Sequence, residues 1–363
     1  MIRKSAVAAT LLAGVSMIIS TGASAAPVEL TVRIEGESRT LFEGPILTDG
    51  REVRADSETE AHRCDGTNAA ANPAPGPTPT AASVDAMELV GQGFDGLFSA
   101  GFDDYFITQW GPDAEDPEEE EFWGVLLNGV LTPVGGCQAR AEAGDEALWA
   151  YDVFTGRSLL RLAAADDPSE APAAPAPTAR VEVGEPLDLT VEGYAGEEGE
   201  APDVDPAPGV TVAPVQTEAG SGFQAVEIGD PAAVTSAADG SATVVFDTPG
   251  WHRLKAQDEE DHIRSNRLDV CVEPAGGGGC GPLPPDAQLR IPARYQPPAE
   301  KPKATSPLPA PPAPAGTLSL RRVSVDPETG TATIRAFVSA PGRLGLAGKK
   351  VRSRSADARA AAW

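Results

Sequence analysis

The chain has 363 residues, with 54 Asp and Glu against 28 Lys and Arg, a formal net charge of -26 and a hydrophobic fraction of 41%. So large an acidic excess works against nucleic-acid binding, which needs clustered Lys and Arg to neutralise phosphates; it suits a neutral, cationic or metal-ion partner, or simply solubility. A single core is implausible at this length, so two or three domains are expected.

The chain opens Met1-Ile2-Arg3-Lys4, followed by an apolar stretch from Ala6 to Ile19 and small residues ending Ala23-Ser24-Ala25-Ala26-Pro27. A charged start, an apolar run and an A-x-A site predict a secretory signal peptide over 1–26, the run being too short to span a bilayer. A membrane anchor is the alternative reading. Loss of Arg3 and Lys4 takes the charge from -26 to -28. No later segment has the apolar length of a membrane helix, so a secreted or extracellular monomer, free or associated with the cell wall and not integral to a membrane, is expected. Four cysteines allow three pairings. We expect Cys64 with Cys137 and Cys271 with Cys280, the second pair bracketing the flexible run Gly276 to Gly279. An oxidising compartment and the lack of a C-x-x-C pair argue against a thiolate metal site.

A first domain is expected over 27–164. Val28, Leu30, Val32 and Ile34 alternate with Glu29, Thr31, Arg33 and Glu35, which predicts an edge or half-buried antiparallel strand. Further strands are expected at Leu41 to Phe42, Asp104 to Trp110, Phe122 to Leu127, Glu146 to Tyr151 and Ser158 to Leu162. One short helix is expected from Val84 to Val90, capped by Ser83. The Pro-rich stretch Asn72 to Thr80 reads as an exposed loop if Cys64 pairs with Cys137. A Pro/Ala-rich linker follows over 165–179. Over 180–274, Leu187, Leu189 and Val191, then Ala242, Val244 and Phe246, then Leu268, Val270 and Val272 alternate between turn residues, which predicts a β-sandwich. A Gly/Pro-rich linker is expected over 275–316, a partial β-domain over 317–351 and a disordered basic tail over 352–363. The predicted class is therefore mainly β.

Three stretches carry a family resemblance: Thr40-Leu41-Phe42-Glu43-Gly44, Phe122-Trp123-Gly124-Val125-Leu126-Leu127-Asn128-Gly129 and Gly144-Asp145-Glu146-Ala147-Leu148-Trp149-Ala150-Tyr151. They resemble bacterial extracellular domains related to the C-terminal domain of transcobalamin and intrinsic factor. That resemblance implies a β-grasp-like fold, and in the vitamin carriers this domain closes over cobalamin. Here the large helical domain that forms the other half of the carriers' site is missing. Phe246-Asp247-Thr248-Pro249-Gly250-Trp251-His252-Arg253-Leu254-Lys255-Ala256 and Arg264-Ser265-Asn266-Arg267-Leu268-Asp269-Val270 are similar to bacterial Ig-like domains. This implies a spacer or adhesion unit, with His252 at an inward position where that pattern usually has an aromatic.

No G-x-S-x-G, H-E-x-x-H or Gly-rich phosphate loop is present, and only His62, His252 and His262 could serve proton transfer. An enzyme is not expected. Asp113, Glu115 and Asp116 open an acidic run through Glu121 that could offer oxygen ligands to calcium, but it lacks the alternating spacing and central Gly of a calcium loop and reads rather as a solvated hairpin tip. Tyr105, Trp110, Phe122 and Trp123 concentrate aromatic surface in the first domain's strands, either as core or as a ligand groove. Three readings follow: a protein that binds a small ligand or a surface component, a structural cell-wall protein with no small ligand, and an atypical hydrolase using paired carboxylates.

Overall fold

The computed structural model describes residues 26–166, 178–195, 203–217, 225–227, 229–258 and 262–296, and beyond them mainly strand backbone within 318–358. Residues 1–25 of the expected leader and most of the linker over 165–179 lie outside the described residues.

The first lobe begins with the antiparallel hairpin of β1 (Val28–Glu35) and β2 (Thr40–Thr48). A short pair follows, β3 (Arg51–Val53) with β4 (His62–Cys64), and then helix α1 (Pro79–Leu89). Next come β5 (Phe94–Ser99), β6 (Asp104–Trp110) and β7 (Asp113–Ala114), which form a separate antiparallel sheet in that order. The chain then returns through β8 (Trp123–Leu127), β9 (Val130–Leu131) and β10 (Glu146–Tyr151). The main sheet runs β2-β1-β10-β8-β9, with β1 and β10 parallel at its centre. A leading hairpin, a helix and a last strand parallel to the first is a β-grasp arrangement. Strand α-carbon register places Trp149 opposite Ile34, and these two side chains lie in the core cluster shared with α1 and β6, whereas Leu148 and Ala150 face the other way.

The helix starts five residues before the predicted Val84. Thr78, not Ser83, is its cap, with Oγ1 accepting the Ala81 N–H at 3.2 Å. Pro79 then sits where a missing N–H costs nothing. Thr78 to Thr80 are thereby buried rather than part of an exposed loop. The Cys64–Cys137 disulfide joins β4 to the loop before β10, and Cys271–Cys280 closes the glycine run.

The second lobe is a β-sandwich. Its strands are β11 (Ser158–Ala164), β12 (Thr178–Glu182), β13 (Pro186–Tyr194), β14 (Val204–Pro206), β15 (Thr211–Thr217) and β16 (Ala225–Glu227), then β17 (Val234–Thr235), β18 (Ser241–Val245), β19 (Gly250–Gln257), β20 (His262–Ile263) and β21 (Leu268–Glu273). One sheet runs β14-β13-β11-β20 with β18 on β13, and the other β12-β21-β19-β15-β16 with β17 on β15. The alternation read from the sequence is the core pattern: Ala242 and Val244 turn inward while Ser241, Thr243 and Val245 are exposed. Strand β11 was expected in the first domain, yet it pairs with β13 from Leu159 to Ala164.

Strand β1 is the main departure from expectation. It is central, and Thr31, Arg33 and Glu35 are as buried as the apolar residues between them. Their face is covered by the sandwich, so 26–296 forms one unit rather than two tethered domains. An apolar seam of Leu126, Leu148 and Ala150 against Leu159, Tyr194 and Ile263 makes part of the contact. The rest is ionic. Lys255 Nζ on β19 donates to Glu35 Oε1 at 2.7 Å, Thr40 Oγ1 at 2.7 Å and Glu43 Oε2 at 2.8 Å. Arg264 Nε lies 3.0 Å from Glu35 Oε2, and Arg33 Nε 2.8 Å from Glu146 Oε1. Arg267 holds Asp269 and reaches Asp286, which also pairs with Arg253.

Asp286 belongs to a segment assigned from sequence to the 275–316 linker. Residues 285–296 instead strap across the first lobe: Arg290 N–H donates to Pro45 O at 3.0 Å, Leu47 N–H donates to Arg290 O at 2.9 Å, and Arg294 pairs with Asp49 and Asp85. This covers the free edge of β2, where exposed main-chain groups would otherwise invite aggregation.

A second unit, described by itself, holds two hairpins: β22 (Leu318–Asp326) with β23 (Thr331–Val338), and β24 (Gly342–Gly348) with β25 (Val351–Ala358). Residues 352–358, expected as disordered tail, are strand, because their main chain pairs with β24.

Burial works to raise the Glu35 carboxyl, but Lys255, Arg264 and Arg33 outweigh it and hold it below its ordinary value. A lowered carboxylate contributes stability above its unfolded pKa and loses it as pH falls through the folded one. Glu146 and Asp269 are raised by burial despite their arginines, and their contribution instead fades as pH rises. Lys255→Met should therefore cost about 3–5 kcal/mol in urea unfolding at neutral pH. Glu35→Gln should remove the part of the acid-induced loss in Tm that lies below the ordinary carboxylate range.

Candidate functional site

Sheet alternation decides which aromatic residues remain available for contact. In β6, Tyr105 and Ile107 turn inward and Phe106 outward. Strict alternation would put Trp110 outward with Phe106. The register passes from Asp95 opposite Gln109 to Gly96 opposite Ile107, which leaves Thr108 without a partner as a β-bulge. The bulge reverses the parity, so Trp110 is fully buried, 5.3 Å from the Trp149 ring.

The expected aromatic groove is thus core. Trp123 is buried, with Nε1 donating to Asp113 O at 3.3 Å and its ring 5.4 Å from Tyr151. Tyr105 Oη donates to Glu58 Oε2 at 2.6 Å, and burial followed by Glu58 raises its hydroxyl above the usual range. Phe122 is half-buried. The three histidines are spread apart: His62 stacks on Phe98 at 3.7 Å, His252 packs against Phe246 at 4.8 Å, and His262 lies 3.3 Å from Asp258.

The calcium candidates do not form one centre. Asp113 accepts the Glu37 N–H at 3.2 Å, Asp116 accepts the Glu118 N–H at 2.9 Å, and the Glu115 carboxyl is raised by burial. Among the described residues no three His, Cys, Asp or Glu side chains are grouped to hold a metal ion.

The exposed surface lies on the opposite face of the same hairpin. Leu97 on β5 is directly opposite Phe106 on β6, and the two are 69% and 55% exposed. Phe102, in the turn between the strands, is 72% exposed. A cross-strand apolar pair left in water is unfavourable by about 25 cal/mol for each Å² that a partner would cover. The hairpin cannot turn this face inward, because its other face is fixed by Phe94, Tyr105, Ile107 and Trp110 in the core.

Asp104 anchors the base of the hairpin. Its carboxylate accepts N–H groups from Tyr105 at 2.7 Å, Cys137 at 3.1 Å and Gln138 at 3.2 Å, joining the strand to the disulfide loop. Any side chain at Gly135 would run into this carboxylate. Burial pushes the Asp104 carboxyl up to about 6, against the pull of those N–H groups.

Comparison with protein-family models, with curated proteins and with solved structures finds no match for this chain.

A carboxyl raised in the fold contributes stability that is present below the unfolded value and is lost as pH rises through the folded one. Wild type should therefore lose Tm relative to Asp104→Asn as pH rises through about 6, measured by calorimetry at several pH values.

Proposed function

We propose that this chain is an exported binding or adhesion protein. Its β-grasp lobe presents the Leu97–Phe106 face, and its sandwich lobe serves as a stiff base. The observation that carries the reading is the exposed apolar cross-strand pair on a hairpin whose opposite face is locked in the core. On the sandwich, exposed Val204 and Val245 are isolated side chains of the kind any surface carries. The base attaches to the face of the main sheet that carries Leu148 and Ala150, while the hairpin packs on the face that carries Trp149. Contact surface and support therefore occupy opposite sides of one sheet. Two disulfides support an oxidising destination, as does the predicted leader. Among the described residues no helix is long and apolar enough to cross a membrane. The resemblance to transcobalamin-related domains is consistent with a binding lobe, although its aromatic residues are spent on the core.

The test uses the full chain and cell envelopes of the producing organism. Retention should be saturable, and the double variant Leu97→Ser, Phe106→Ser should lose most of it, about tenfold or more in affinity, with Tm unchanged. Retention of that variant at the wild-type level would remove the hairpin from the binding surface and favour a structural wall protein instead.

A further inference from the structure

We propose that β5 accepts an added strand from a basic, extended polypeptide segment, a mode of recognition that rests on the reading of the Leu97–Phe106 face as the binding surface. Strand β5 is at the edge of its sheet: β6 pairs with one side. On the other side the first residue is engaged, where Phe94 O accepts the Asp56 N–H at 2.9 Å; along the rest of that edge no main-chain partner is present among the described residues. An open row of N–H and C=O groups next to an apolar face matches an incoming strand, whose main chain would complete the ladder and whose alternate side chains would cover Leu97 and Phe106.

The charge around this face selects the partner's sign. Asp95 stands on β5 itself and accepts from Ser57 Oγ, Asp56 lies at the open edge, and the acidic turn 115–121 follows β7 on the far side of β6, where Glu115 N–H donates to Thr108 O at 2.8 Å. Glu118, Glu119 and Glu120 are exposed there, and the whole chain carries -26. Such a rim repels anionic lipid, nucleic acid and acidic wall polymers and attracts a segment alternating apolar with Lys or Arg side chains.

Titration calorimetry of the full chain with a short synthetic peptide of alternating lysine and valine tests this directly. Saturable binding that weakens with salt is expected. Replacing lysine by glutamate in the peptide should abolish it, and so should N-methylation of the main-chain amides that would enter the ladder. Leu97→Ser with Phe106→Ser should weaken it about tenfold or more, and Glu118→Gln, Glu119→Gln, Glu120→Gln should remove part of the salt dependence. Equal binding of the acidic or N-methylated peptide would overturn the proposal. So would a hairpin that binds phosphatidylcholine vesicles, or a second copy of the chain, in place of the peptide. In either of those cases envelope retention would still depend on Leu97 and Phe106, so the proposed function would stand while the partner class fell.

Discussion

Four cations and five anions are buried where the β-grasp lobe meets the sandwich, Arg33, Lys255, Arg264 and Arg267 against Glu35, Glu43, Glu146, Asp269 and Asp286, with half-buried Arg253 beside them. Taking each charge out of water costs several kcal/mol, so such a network adds little net stability over an apolar interface. What it imposes is orientation. Lys255 has three oxygen partners from β1 and β2 at 2.7–2.8 Å, and a shifted lobe would leave them buried and uncompensated. The neighbouring seam around Leu148 and Tyr194 supplies non-directional burial, while the ions permit one arrangement of it.

The strap follows from the same constraint. Asp286 completes the charge balance by meeting Arg253 and Arg267, and from there the chain is carried along β2 to Arg294 and Asp85. Cys271–Cys280 sets where that segment leaves the sandwich. One short stretch thus closes the ionic interface and caps the β2 edge. The β5 edge has no comparable cover along most of its length among the described residues, and it is there that the apolar side chains Leu97 and Phe106 stand exposed.

The candidate site was only partly legible. Strand β6 was readable as Asp104 to Trp110, and its alternation separates Phe106 from Tyr105 and Ile107. That signal could have pointed to Phe106. It was obscured because Trp110 has the same parity as Phe106, and only the bulge at Thr108 sends the two in opposite directions. Large aromatic residues suit contacts, yet their area also makes them the most favourable core, and Trp110, Trp123 and Trp149 are used in that way.

Local patterning by itself determined the mainly β class, many of the longer strands and the inward residues of several sandwich strands, because period-two alternation is a property of the strand alone. The glycine run flanked by Cys271 and Cys280 likewise indicated its own closure. Tertiary structure decided whether a polar face meets water or another protein surface. Arg33 and Glu35 alternate as a solvated face would, and their burial depends on Lys255, Arg264 and Glu146, which lie more than a hundred residues away in sequence. Charge complementarity across a fold leaves no periodic trace in either segment, so the welding of the two lobes exists only once both are folded.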